Sequence, residues 1–437
     1  MIYIFMDNYR GFSETLIPVR QATFLVGENS TGKSSFLTLL YLLSTPNFWF
    51  SPDFSAIDYC DLGGFKDIVS AGSRVKTHFT VGMLTTQPKK GSKANSRIEC
   101  SFTLMTFRDD EGVPRLSRYV QYTSASGKLV KVNLLRKVMR YKSTEERLEA
   151  DNEDSFIDTF IRLFHGDEAD KTGFRALPSD MPPNPPIPFI ISMIQSLDQP
   201  KKKGEFTFTS ELPSILNLEW LAPIRSKPKR TYDGLKTNFS PEGSHTPHII
   251  RDTLSSKDKA KNFAKLLRKF GNSSGLFKSV KAHSFGKGPA APFEVLVEIA
   301  DQPLNINNVG YGVSQVLPVI VEMLTQHKGH WFAIQQPEVH LHPKAQAALG
   351  DLMHFLMKER GHHYVVETHS DYLIDRFRLR MKESKHPKYA EVVFFERSNS
   401  GNTAHILPIN DKGQYPKEQP KGFRDFFINE EMHLLEI

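Results

Sequence analysis

The sequence predicts an α/β fold: a phosphate-binding sheet flanked by helices, an antiparallel β subdomain and a helical insertion. Three observations predict it. Residues Gly27 to Ser34 read G-x-x-x-x-G-K-S, set between the apolar run Ala22–Val26 and the helical pattern Ser34–Leu40. Residues 76–84, 97–107, 118–124 and 128–133 alternate apolar and polar side chains, the period of half-exposed antiparallel strands. Residues 143–200 place Phe156, Ile157, Phe160, Ile161 and Phe164 at helical spacing and then break into prolines. The 437 residues allow one large domain or two to three ordinary ones. The expected parts are 1–142, with the P-loop and the antiparallel subdomain, the insertion 143–200, and 201–437.

Bulk properties exclude several classes. Two cysteines, Cys60 and Cys100, rule out a disulfide scaffold and favour a reducing, cytoplasmic setting. No apolar run is long enough to span a bilayer, so no membrane partner is expected. Met1–Asp7 lacks a basic region before its apolar residues, unlike a signal peptide. The net charge of +7 permits contact with nucleic acid without establishing it.

In chain order, residues 2–26 read as strands interrupted near Asn8–Gly11. Tyr9 and Arg10 are candidates to pack beside a base or ribose; an ordinary turn explains them equally well. In the P-loop the glycines let backbone N–H groups wrap an anion, and the following helix adds its dipole. Lys33 is placed to reach the β- and γ-phosphates and Ser34 to bind Mg²⁺ through its hydroxyl. Asn29, Ser30, Thr31, Gly32 and Ser35 complete the expected cradle for ATP. Lys89–Lys93 reads as a hairpin end. In the insertion, Pro178, Pro182, Pro183, Pro185, Pro186 and Pro188 suit a stiff linker. Its apolar stripe is either a partner surface or core, and no heptad run accompanies it. Leu221–Arg230 is a basic loop after an apolar strand, able to meet phosphates or simply solvated. Residues 256–270 read as a basic helix and Phe293–Ile299 as a strand.

A second glycine-rich turn, Asn308–Gln315, precedes the apolar helix Val316–Val321 and forms a second expected anion site. Two such sites in one chain suggest an active site shared by two subunits. The strand Trp331–Ile334 then ends in Gln335-Gln336-Pro337-Glu338, and the strand Tyr364–Val366 ends in Glu367-Thr368-His369-Ser370.

This order of motifs resembles the head of ATP-binding-cassette (ABC) ATPases. Within that class the chain is similar to the overcoming-lysogenization-defect-like ATPases, filed as AAA-15 or AAA-21. The tail Ile406–Pro416 looks like the associated DUF3696 segment. The resemblance covers both ends of the chain and residues 221–248, and leaves out 143–200. It implies ATP and Mg²⁺ as cofactors and a homodimer or higher homo-oligomer. It makes Lys33 and Ser34 the Walker A pair, Gly310, Gly312 and Ser314 the signature turn, and His369 the histidine that senses the γ-phosphate. Glu338 is the nearest carboxylate and a candidate for the chemistry, although in relatives its position shapes the dimer contact. The departure is at the Walker B strand, where the resemblance implies an acid holding Mg²⁺ and a second group orienting water. Here those positions are Gln335, the expected metal-side residue, and Gln336. An amide cannot take a proton, so either hydrolysis is slow or Gln335 is a substitution that traps the bound state. His340 and His342, with His369, have a spacing compatible with metal ligands, yet His-Leu-His-Pro recurs in this class without metal.

The resemblance implies a nucleotide-switched sensor and regulator of a separately encoded effector nuclease in antiphage defence, as in Septu-like, retron-associated or PARIS-like systems. The alternative is a RecF-like DNA-repair or recombination ATPase that clamps DNA. Fewer than about seventy residues follow His369, without a clustered D-x-D, so no nuclease activity is expected of the chain itself.

Overall fold

The computed structural model describes residues 1–55, 61–88, 98–134, 139–146, 152–166, 172–179, 185–198, 216–233, 238–288, 290–384, 390–399 and 401–423. Cys60, the loop 89–93, Pro182 and Pro183 lie outside the described residues. The strands are β1 (Ile2–Asp7), β2 (Thr15–Val19), β3 (Ala22–Gly27), β4 (His78–Pro88), β5 (Ile98–Asp110), β6 (Val113–Thr123), β7 (Lys128–Leu134), β8 (Met139–Glu145) and β9 (Arg175–Ala176). They continue as β10 (Leu218–Leu221), β11 (Ser279–Ser284), β12 (Phe293–Ile299), β13 (Gln302–Asn305), β14 (Trp331–Gln335), β15 (His363–Glu367), β16 (Ala390–Ser398) and β17 (Gly401–Ile409). The helices are α1 (Lys33–Ser44), α2 (Pro46–Phe50), α3 (Phe65–Ile68), α4 (Glu153–Gly166), α5 (Ile187–Asp198), α6 (Thr246–Ser255), α7 (Ala260–Ser274), α8 (Tyr311–Thr325), α9 (Pro343–Arg360) and α10 (Asp371–Ser384).

The chain forms two compact units. The first holds Met1–Val19, Ser30–Leu216 and Arg397–Ala404; the second holds Arg20–Asn29, Asn217–Glu396 and His405–Ile437. The chain passes from the second to the first inside the P-loop.

The first unit is built on a sheet of order β2-β1-β4-β5-β6-β7-β8-β9, in which every pairing is antiparallel. Alternation sends side chains to two faces, and both are covered. Phe79 and Phe107 stack at 5.3 Å on one face and meet Phe54. Phe5 and Phe102 on the other meet Phe160 of α4 edge-on at 5.2 and 5.4 Å. Phe156 and Phe160 have no exposure. The stripe on α4 is therefore core, not a partner surface. Strands β8 and β9 extend the sheet where the sequence suggested only a break and an insertion.

The second unit carries a sheet of order β10-β14-β15-β3-β16-β17. Strands β10, β14, β15, β3 and β16 are parallel. Parallel strands covered on both faces need continuous apolar runs, which Trp331–Ile334, Tyr364–Val366 and Val392–Phe395 supply. Residues of α6, α7, α8, α9 and α10 join these strands in one core. A three-stranded antiparallel sheet, β11-β12-β13, belongs to the same unit. The expected helix 256–270 is α7, which begins four residues later, at Ala260, and runs on to Ser274; α6 precedes it and ends at Ser255. Helix α8 begins at Tyr311, five residues before its expected start, and keeps Pro318 inside it.

Candidate nucleotide site

In open parallel sheets, ligands bind beyond the carboxyl ends of the strands. Three such ends matter here. Strand β15 lies between β3, which leads into the P-loop, and β14, which ends in the two glutamines.

Strand β3 ends at Gly27 with φ +136°, and a Cβ there would lie 2.1 Å from the Phe395 carbonyl oxygen of β16. Only glycine lets the chain turn out of the sheet at this point. Glu28, Asn29 and Ser30 are exposed, Thr31 is buried, and Gly32 occupies the N-cap position of α1. Lys33 opens the helix and is 4% exposed; Ser34 is exposed and Ser35 half-buried. Tyr9 donates its hydroxyl to the Ser35 carbonyl at 3.2 Å and is completely buried. It braces the start of α1 and has no ring face for a base. Arg10 donates to the Leu62 carbonyl at 2.8 Å.

The ends of β14 and β15 form one hydrogen-bonded unit. Gln335 and Glu367 are register partners, and the Gln335 amide Nε2 donates to Glu367 Oε2 at 2.8 Å. Both residues are nine-tenths buried. Gln336 takes a left-handed backbone, φ +43°, which costs a non-glycine residue about 1 kcal/mol or more. Its N–H donates to the Glu367 carbonyl at 2.7 Å. Glu338 Oε1 accepts the His369 N–H at 2.7 Å, tying the two strand-end loops together. Glu338 Oε2 is buried without a hydrogen-bond partner, an acceptor left over for a donor. The side chain of His369 is exposed.

Arg225 departs most from its expected role. It is 4% exposed and donates from Nη2 to the Gln335 carbonyl at 3.0 Å and from Nη1 to the Gln336 carbonyl at 3.4 Å. Burial lowers its pKa to about 10, against the opposing charge of Glu338, so it stays a cation at neutral pH. It fixes the strand end instead of meeting phosphates; Lys227, Lys229 and Arg230 of the same loop are exposed.

The expected signature turn is the first turn of α8. Gly310 is its N-cap position. Gly312 packs so closely that a Cβ would lie 2.8 Å from the His340 carbonyl oxygen. Ser314 is 6% exposed and donates its hydroxyl back to the Tyr311 carbonyl at 3.0 Å. His342 caps α9, its Nδ1 accepting from the Lys344 N–H at 3.3 Å. His340 is exposed, its ring 5.9 Å from that of Tyr311. Among the described residues no group of three or more His, Cys, Asp or Glu side chains forms a metal cluster.

Sequence reasoning missed Arg225 and Glu367. The signal for Glu367 was present: a strand lacking its acid beside a strand that ends in one. The residues fit ATP and Mg²⁺ in kind. In the second unit the turn at Gly27 has no room for a side chain, the Glu367 carboxylate is an oxygen donor of the kind a hard cation takes, and Glu338 Oε2 is buried without a hydrogen-bond partner; in the first unit Ser34 is exposed at the start of α1.

No curated protein matches the chain in sequence. Among solved structures, an Smc head bound to the C-winged-helix domain of ScpA shares 11% identity, covering 93% of this chain and 98% of that chain at a TM-score of 0.45. An Smc head with an extended coiled coil, bound to the C-terminal domain of ScpA from Pyrococcus furiosus, shares 10%, covering 99% and 100% at 0.41. The SMC head domain from Thermotoga maritima shares 9%, covering 93% and 98% at 0.38. A family model described as an AAA ATPase domain, AAA_15, matches residues 2–170 and 191–374. That match takes in 143–170 and 191–200, two parts of the segment outside the motif resemblance. With most of its length matched, the chain belongs to the AAA_15 family of AAA ATPase domains.

Proposed function

We propose that the chain binds Mg²⁺–ATP beyond the carboxyl ends of β3, β15 and β14, hydrolyses it slowly, and uses the long-lived bound state as a switch. The observation that carries this reading is the end of β14. By the family resemblance Gln336 takes the position that orients an attacking water, and an amide cannot take its proton. Arg225 and Glu367 hold that strand end in place, so the site keeps its shape while β14 itself ends without a group to take that proton. A switch needs such a state: nucleotide bound, chemistry delayed.

Lys33 neutralises the β- and γ-phosphates, Ser34 meets the cation, and His369 senses the γ-phosphate. A second copy of the chain supplies the first turn of α8. The downstream role is regulation of a separately encoded effector, a nuclease, in antiphage defence, supported by the resemblance to defence ATPases. The test pairs binding with biology. Lys33→Ala is expected to abolish ATP binding and, in cells carrying the chain with its effector, protection against phage. Equal ATP affinity in both proteins would refute the nucleotide assignment. Protection that survives Lys33→Ala would refute the switch. Magnesium-dependent DNA cleavage by the pure chain would refute the separate effector.

A further inference from the structure

The end of β14 lacks the carboxylate that a cation beside a triphosphate calls for, yet a carboxylate stands next to it. Glu367 ends β15, the strand hydrogen-bonded directly to β3. It is level with Gln335, and adjacent parallel strands point register partners to the same face. Glu367 is one strand closer to the P-loop strand than Gln335 is. Its backbone is held from both sides: Gln336 donates to its carbonyl, and the next residue, Thr368, donates from its N–H to the Leu25 carbonyl at 3.1 Å. Its side chain is held by the Gln335 amide.

We infer that Glu367 is the acidic group of this site, holding the divalent cation through water, and that Gln335 is its positioning residue. The inference rests on the proposed Mg²⁺–ATP reading and assigns a residue within it. Three physical points carry it. First, a carboxylate is a far better partner for a hard dication than an amide oxygen. Second, the Gln335 amide donates to Glu367 Oε2 at 2.8 Å, a neutral donor that orients the carboxylate. A glutamate at both positions would set two carboxylates against each other at hydrogen-bond distance, where they repel. The amide–carboxylate pair avoids that conflict and fixes the carboxylate in place. Third, the residue after Gln335 is also an amide, so Glu367 supplies a cation ligand on β15 while the water-orienting position on β14 still has no proton acceptor. Metal binding and slow hydrolysis follow from the same three residues.

The test separates cation affinity from turnover. Four proteins are compared: the natural chain, Glu367→Gln, Gln335→Glu, and the double exchange Gln335→Glu/Glu367→Gln, which returns the same two functional groups in swapped places. Glu367→Gln is isosteric, and the new amide's carbonyl still accepts the Gln335 N–H, so the fold is kept; thermal melting checks this. ATP affinity is measured with a chelator present, and then free Mn²⁺ is titrated by electron paramagnetic resonance into each ATP-loaded protein. Glu367→Gln is expected to leave chelator-condition ATP affinity unchanged and to weaken Mn²⁺ binding by about 10- to 100-fold, the range for loss of a group that supports a metal through its ligands. The double exchange is expected to recover Mn²⁺ affinity to within a few-fold. Gln335→Glu sets two carboxylates against each other and loses the donor that orients Glu367, so it is expected to melt at a lower temperature than the natural chain. Unchanged Mn²⁺ affinity in Glu367→Gln, with ATP bound, overturns the assignment of Glu367 alone. No recovery in the double exchange overturns the paired role of Gln335. Failure of the natural chain to bind ATP overturns the nucleotide reading, and this inference with it.

Discussion

Arg225 places a buried cation against the end of β14, within the proposed nucleotide site. Its guanidinium points at the carbonyls of Gln335 and Gln336, and the second of these residues is in a left-handed conformation. An arginine fork suits this because its donors are fixed in one plane. Arg225→Met keeps much of the volume but strands two buried acceptors, at about 1–3 kcal/mol each. We expect the melting temperature to fall and, in the folded fraction, ATP to bind more weakly. A variant as stable as the natural chain would show that the carbonyls find other donors. Gln336→Glu acts on the chemistry instead. It supplies a group able to take a proton, so ATP turnover is expected to rise above that of the natural chain. Brisk Mg²⁺-dependent turnover before any substitution would assign the base to another carboxylate, Glu338 first.

At the scale of elements, α4 and β15 make separate predictions. Helix α4 is the cover of the first unit's sheet, with Phe160 against Phe5 and Phe102. Phe160→Ala is expected to cost about 3–5 kcal/mol, read by denaturant unfolding. A loss below about 1 kcal/mol would mean that the helix is dispensable and free to serve a partner. The entry to β15 is sensitive to acid. Burial, helped by the charge of Arg360, holds His362 down to about 4, and burial does the same to His363, which stacks on Trp331 at 4.1 Å. A histidine with a lowered folded-state pKa gives stability that is present above its unfolded value, near 6.5, and is lost as pH falls towards 4. Glu391 works in the other direction. Burial raises it to about 7, against the pull of Arg20, so its contribution is present in acid and fades as pH rises through 7. The double change His362→Asn/His363→Asn is therefore expected to flatten the fall in melting temperature between pH 6.5 and 4. Parallel curves for the two proteins would refute the role of the histidines.

These elements also show what could be read from the sequence. The P-loop, the continuous apolar runs of β14 and β15 and the alternation of β4 to β7 are local patterns, and the structure has them close to their expected bounds. The early start of α8, by contrast, was hidden by Gly310 and Gly312, which look like a turn. Gly312 is glycine because the His340 carbonyl lies against it, a contact between residues far apart in sequence. The stripe on α4 was legible as a stripe, but periodicity does not say what a stripe faces. Arg225 looked like one charge in a solvated run, and only the tertiary fold shows that it is buried beneath Gln335 and Gln336. The amide–carboxylate pair was split over two motifs thirty-two residues apart.

For the whole molecule, the second unit exposes large apolar side chains on segments that follow its strand ends or open α8. Ile224 follows β10 and is 79% exposed, Tyr372 follows β15 and is 58% exposed, and Tyr311 opens α8 at 60%. His340 and His369 are exposed as well. On the proposed reading, apolar groups left in water at these strand ends favour a second copy of the chain, and a bound triphosphate would give that copy an anion to meet with the N-terminus of α8. Occupancy and association are then linked, because a ligand held by both copies stabilises the pair. Substitution at Gly312 cannot test this cleanly, since any side chain there collides with the chain's own His340 carbonyl. Tyr311→Asp can: the ring is exposed, so the monomer keeps its fold and its ATP affinity, while a carboxylate at the start of α8 faces the phosphate of the other copy. Mass in solution, with and without ATP, is the measurement for both proteins. The natural chain is expected to double its mass with ATP and Tyr311→Asp to remain a monomer with ATP bound. An identical oligomer in all four samples, nucleotide bound in the two that contain it, would mean that other surfaces hold the copies together and that ATP only reshapes the assembly.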